Sequence, residues 1–132
     1  MPRITARHLD GDRFEVAVRG HRLVVDQPTP GGDDAGPTPV ELFVAGLTAC
    51  VAALAGRYLA RHALTTDGLQ VVAEYATTGH PSRVAQVRLV VTVPPGLSVA
   101  RRRGLVAVSS HCTVHNSLTT PPEIEVTLAE DA

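Results

Sequence analysis

One stretch limits the folds open to this chain more than any other. From Leu42 to Gly56, fifteen consecutive residues carry no charge. Thr38 before it is an acceptable helix N-cap, Pro39 suits the first helical position, and Glu41 stands in the first turn. Thr38-x-x-Glu41 is also a capping-box spacing. The pattern predicts one helix from about Thr38 to about His62, with Arg57, Arg61 and His62 favouring the C-terminal end of its dipole. At 1.5 Å per residue it is about 40 Å long, enough to span a small domain. A bilayer span needs about 20 apolar residues. This run is shorter and is flanked by Glu41 and Arg57, so a buried helix is expected and no membrane partner. Ala45, Ala49, Ala52 and Gly56 form a small-residue stripe that lets another helix approach closely.

A chain of 132 residues suffices for one domain with a modest core, residues 1–132 forming a single unit. A net charge of −1 gives no basis for a nucleic-acid or membrane-surface partner. Aromatic side chains are few (Phe14, Phe43, Tyr58 and Tyr75), so the core is expected to be built from Val, Leu and Ala, which argues against base stacking as a binding mode. Two cysteines are too few for a secreted disulfide scaffold. The N-terminal Met-Pro-Arg-Ile-Thr-Ala-Arg lacks an apolar signal core, which makes a cytoplasmic location the expectation.

Around the helix the chain reads as strands. Thr5 to Asp26 holds two or three, with Arg13–Arg19 alternating at period two and a turn at Gly20-His21. Gln27–Pro39, with four Pro, three Gly and two Asp, is a loop, and no Gly-Lys-Ser/Thr follows to make it a phosphate loop. Leu69–Thr78 and Val84–Val93 are strands about a Gly79-His-Pro81 turn. A second helix runs from Ser98 to about Ser110, its Arg101, Arg102 and Arg103 a solvated face, and a third covers Thr113–Leu118. Glu123–Leu128 alternates as a final strand. The order β-β-β-α-β-β-α-α-β defines an α+β domain.

The chemistry-bearing residues are Cys50, inside the long helix, and Cys112, in Ser110-His-Cys-Thr-Val-His-Asn-Ser-Leu118. Either thiol can be a small buried hydrophobe. A mid-helix position denies Cys50 the helix N-terminus that lowers a thiol pKa, so a reactive Cys50 needs a cation. Arg57 lies seven residues on, nearly on the same face but about 10 Å along the axis, where arginines usually snorkel. His111, Cys112, His115 and Cys50 offer two thiols and two imidazoles to a metal, without the clustered ligand pairs usual for zinc, so no metal is expected. Cys112 with His115 is a further option, a nucleophile and its base on one helix.

Two segments carry a family resemblance. Pro39-Val-Glu-Leu-Phe-Val-Ala-Gly-Leu-Thr-Ala-Cys50 resembles the first-cysteine motif of OsmC/Ohr-like proteins, and Cys112-Thr-Val-His-Asn-Ser-Leu118 followed by Pro-Glu-Ile-Glu-Val resembles their second. The element order agrees over essentially the whole chain. The resemblance implies an intertwined homodimer, with two long cysteine helices packed centrally, sheets wrapped around them and active sites at the subunit interface. It implies a thiol-dependent peroxidase for organic hydroperoxides, with Cys50 as peroxidatic and Cys112 as resolving residue. A dithiol, lipoyl-type or a small thiol, would re-reduce the pair, and no cofactor is implied. An Arg of the N-terminal strands stabilises the thiolate in such enzymes. Arg13 is the candidate here, because its spacing to Pro28 resembles that between this Arg and a Pro in the Ohr pattern.

The chain departs from that pattern in two places. Peroxidase members carry a Glu ten residues before the first cysteine, and here that residue is Val40. Glu41 is one place late: nine residues turn through about 900°, opposite Cys50, so Glu41 suits a helix cap or an interface carboxylate. Cys-Thr-Val-His also replaces the Cys-Pro-Tyr of the organic-hydroperoxide specialists. Both departures point to a divergent OsmC-like branch. The alternative expectation is a stress or small-molecule-binding protein of the same fold without efficient peroxidase activity.

Overall fold

The computed structural model describes residues 1–131, which divide into two compact units: residues 1–45 with 75–87, and residues 46–74 with those from 88 on. The first opens with an antiparallel meander of β1 (Ile4–Asp10), β2 (Arg13–Val18) and β3 (His21–Val25), in that order. The register sets Ile4 opposite Val18 and Phe14 opposite Val25. Glu15 on the central strand receives Arg7 at 3.1 Å and Arg22 at 2.6 Å, one from each neighbouring strand. The region expected to hold two or three strands therefore holds three. The β2–β3 turn falls at Arg19-Gly20, with Arg19 in the left-handed region (φ 56°), while His21 already belongs to β3.

The loop after β3 is organised by one carboxylate. Asp26 is buried, and its two oxygens accept the N–H groups of Gln27 (2.7 Å), Asp33 (3.2 Å) and Ala35 (3.1 Å). These bonds hold the carboxyl below its ordinary value, the Ala35 amide contributing most. The Asp26 amide donates to the Pro37 carbonyl at 3.1 Å, so the loop returns along the end of β3. Gly36 is required there, because a Cβ would lie 2.7 Å from the Val24 carbonyl carbon.

Helix α1 (Pro39–Arg61) starts where the local signals place it. The Glu41 amide donates to Thr38 Oγ1 at 3.1 Å, and the Thr38 amide donates to Glu41 Oε1 at 2.8 Å, closing the capping box. The helix is long and apolar enough to cross a bilayer. The expectation of a buried helix holds for one face only: Val44, Leu47, Val51, Ala55, Tyr58 and Leu59 are buried, while Phe43, Gly46, Ala49, Ala53 and Arg57 are exposed.

β4 (Gln70–Thr78) and β5 (Arg83–Thr92) form a two-stranded sheet. Helix α2 (Val99–Ser109) follows, with Ser98 Oγ accepting the Arg101 amide at 3.2 Å as N-cap, and then α3 (Thr113–Thr119). In the second unit Ala55, Tyr58 and Leu59 of α1 pack on Leu105 of α2, with Leu69, Val91, Val93 and Leu97 around them. Apart from Tyr58 this core is built from Val, Leu and Ala, as the composition leads one to expect. At the end of α1, His62 meets the edge of Tyr58 with centroids 4.5 Å apart, and its Nδ1 lies 2.9 Å from an Arg101 guanidinium nitrogen.

The final strand expected at Glu123–Leu128 is absent. The segment is irregular, and Ile124, Val126 and Leu128 are 83%, 91% and 64% exposed. Alternation makes a segment competent to pair, but a strand exists only against a partner, and no strand pairs with this segment among the described residues. The element order is therefore β-β-β-α-β-β-α-α, closed by a 3-10 turn at Ala129–Asp131.

Candidate active site

The structure brings Cys50 and Cys112 together inside the second unit. Both are free thiols; Cys50 is half-buried and Cys112 is 1% exposed. Cys112 is the N-cap of α3, with extended backbone (φ −74°, ψ 159°), and its Sγ accepts the His115 amide at 3.2 Å. Sulfur here does what Ser, Thr, Asp or Asn oxygen does at most helix starts.

The next two amides of the same turn act on the other thiol, the Val114 amide on both. Backbone N–H groups of Val114, foremost, and Thr113 donate to Cys50, and the Cys112 thiol donates to it as well. Arg57 adds its positive charge. Burial opposes these effects without cancelling them, and Cys50 lies below the ordinary thiol value of 9.0. Cys112 moves the other way: burial raises it most, and its place as donor to Cys50 raises it further. The two thiols are pushed in opposite directions, Cys50 toward thiolate and Cys112 toward the protonated form.

Sequence reasoning denied Cys50 a helix N-terminus because it considered only its own helix. The fold supplies another helix's first amides instead, and Thr113 and Val114 are the site residues that reasoning missed. The available signal was Thr-Val-His directly after a cysteine able to cap. Arg57 is exposed, and its charge ranks below the hydrogen bonds among the influences on Cys50.

Arg13 belongs to the other unit. On β2 its guanidinium forks onto Asp10, with Nε to Oδ1 at 2.9 Å and Nη2 to Oδ2 at 2.6 Å. Asp10, not a helix Glu, holds this arginine. Glu41 is occupied as the α1 cap. No three His, Cys, Asp or Glu side chains are grouped to hold a metal ion among the described residues.

A long cysteine-bearing helix, two small sheets and a second thiol at a short helix's N-cap define an α+β two-thiol protein. Residues 31–127 match the family described as OsmC-like protein, and the chain belongs to that family. Among solved structures it is similar to one from Psychrobacter arcticus named for osmotic-stress induction and detoxification response (17% identity, TM-score 0.81, 89% of this chain and 88% of that one). It is similar to the OsmC-like protein of Mycoplasma pneumoniae (19%, 0.79, 92% and 89%). It also resembles an organic hydroperoxide resistance protein of Elizabethkingia anophelis (20%, 0.68, 92% and 91%). No curated protein matches the chain.

Proposed function

We propose that this protein is a thiol-dependent peroxidase that reduces organic hydroperoxides in oxidative stress defence. The observation that carries the reading is the unequal thiol pair, a half-exposed Cys50 beside a buried Cys112, the first held toward thiolate and the second toward thiol. Family membership and the name of the Elizabethkingia neighbour support the substrate class. The Cys50 thiolate attacks the terminal oxygen of ROOH, the O–O bond breaks, and the alkoxide takes a proton and leaves as ROH. Cys50 is then a sulfenic acid. The Cys112 sulfur attacks it, water leaves with the thiol's proton, and a disulfide forms. A dithiol of lipoyl type, or small thiols, return both residues to thiols by exchange, so each ROOH consumes two reducing equivalents. Arg13, braced by Asp10, is the proposed cation that stabilises the thiolate during attack.

The functional form is proposed to be a cytoplasmic homodimer. The dimer is supported by the exposed small-residue face of α1 (Gly46, Ala49, Ala53) and the unpaired alternating segment Glu123–Leu128. A second reading, a small-molecule-binding stress protein with little peroxidase activity, is favoured by Val40 at the position where peroxidase members carry Glu.

Consumption of cumene hydroperoxide with dihydrolipoamide as reductant separates the two. Turnover well above that of the free dithiol, abolished in Cys50→Ser, is expected. Wild-type turnover equal to that of Cys50→Ser would leave the second reading.

A further inference from the structure

Helix α3 has little of its own to hold it. It is seven residues long, and none of them is buried. An isolated helix of that length is marginal in water. In its sequence, Thr-Val-His-Asn-Ser-Leu-Thr, only Leu118 is a strong helix former. Ser117 Oγ donates back to the Thr113 carbonyl at 2.8 Å, a bond to residue i−4 that slightly weakens a helix.

Its first turn is better provided for, and there the acceptors are the two sulfurs. The His115 amide donates to Cys112 Sγ at 3.2 Å, and the Thr113 and Val114 amides donate to Cys50. The first amides of a helix have no partner within it, so these bonds are what the start of α3 depends on.

One chemical step removes both acceptors. When Cys50 and Cys112 close a disulfide, two electrons and two protons pass to the oxidant. A diazene such as diamide becomes its hydrazine, and a hydroperoxide becomes alcohol and water. Cys50 can then no longer be a thiolate, the form whose charge makes an accepted hydrogen bond roughly twice as strong. Cys112 Sγ turns from the His115 amide toward Cys50.

We propose that this oxidation releases α3, which is folded in the dithiol and frays in the disulfide, so that the chain from Thr113 onward reports the redox state of the pair. The coupling is reciprocal: a firmer α3 favours the dithiol, and a weaker one favours the disulfide. The proposal rests on the pair closing as in the peroxidase reading, but not on a hydroperoxide as its oxidant.

The test is amide hydrogen exchange, followed by NMR, on reduced protein and on protein oxidised with diamide. The Asn116 and Thr120 amides report the helix itself, since they donate to the Cys112 and Asn116 carbonyls at 2.8 and 2.9 Å. Their protection should fall roughly two- to thirtyfold on oxidation, as for loss of an N-cap. The amides of Leu59 in α1 and Leu105 in α2, both core residues, should change little. The reciprocal effect is read at Ser117, which is exposed. Ser117→Gly and Ser117→Ala remove the same hydroxyl and differ in helix propensity. In a dithiothreitol redox buffer the glycine variant should hold up to about fivefold more disulfide relative to dithiol. Equal protection of Asn116 and Thr120 in the two states, equal thiol–disulfide equilibria in the two variants, or failure of diamide to close the intramolecular bond would overturn the proposal. Release of α3 by diamide with no turnover of cumene hydroperoxide would uphold it and refute the peroxidase reading alone.

Discussion

Gly104 on α2 faces Tyr58 on α1, and replacing it with alanine sets two opposing effects against each other. An added Cβ would lie 3.0 Å from Tyr58 Cζ and 3.3 Å from Cε2, and closer still to the hydroxyl oxygen. Tyr58 cannot swing aside freely, since it is 6% exposed and its ring is fixed edge-on by His62. Gly→Ala within a helix gains about 0.8–1 kcal/mol of propensity. Forcing a methyl against a packed ring costs about 1–3 kcal/mol. The net expectation for Gly104→Ala is a loss of about 0–2 kcal/mol. In a Tyr58→Phe background the nearest contact is gone, so the same substitution should be less damaging, with a coupling of about 0.5–2 kcal/mol across the cycle. Urea unfolding of the four proteins measures it, reading midpoints at unchanged m. Because α2 leads directly into Cys112 and α3, a displaced α2 should also slow alkylation of Cys50. A Gly104→Ala protein stabilised by about 1 kcal/mol with Tyr58 intact, propensity alone, would refute this view of the α1–α2 contact.

The thiol environment orders two further substitutions. Cys112→Ala should slow iodoacetamide modification of Cys50 at pH 7 more than Arg57→Gln does, because the thiol's hydrogen bond outranks the exposed charge; the reverse order would place the cation first. Asp26 is held below its ordinary 3.8 by backbone amides, so its contribution to stability is complete above that value and is lost as pH falls through the lower, folded one. Asp26→Asn should therefore lose stability at neutral pH and flatten the acid limb of the stability–pH curve below about pH 4, checked by denaturant midpoints across pH. Thr38→Ala removes one arm of the α1 capping box and should cost about 1 kcal/mol. It should leave Cys50 reactivity unchanged, which paired unfolding and alkylation measurements would verify.

The parts of this fold that could be read from sequence are those with local causes. Thr38, Pro39 and Glu41 act on one another within a single turn, so the start of α1 was predictable to the residue; the helix expected from Ser98 starts one residue later, with Ser98 as its cap. Glu123–Leu128 shows the limit: its alternation is real, but pairing depends on a neighbour that the segment's own residues do not specify. Exposure along α1 failed for the same reason, since an apolar helix reads alike on its buried and open faces. At the site, both cysteines were identifiable by type and setting. What makes them unequal was not: Thr113 and Val114 act through backbone amides, which any residue carries, and they lie more than sixty positions from Cys50. The Asp10–Arg13 pair closes across three positions over the β1–β2 turn, and only the strand boundaries reveal it.

The division of labour between the two thiols is tested most directly by intact-mass analysis after one equivalent of cumene hydroperoxide, on reduced wild type, Cys50→Ser and Cys112→Ser. Wild type should lose two hydrogen masses as the disulfide forms. Cys112→Ser should gain one oxygen that dimedone traps at residue 50, and Cys50→Ser should be unchanged. Oxygen trapped at Cys112 in the Cys50→Ser protein, at a rate equal to that of Cys50 in Cys112→Ser, would contradict the assignment of Cys50 as the attacking thiolate.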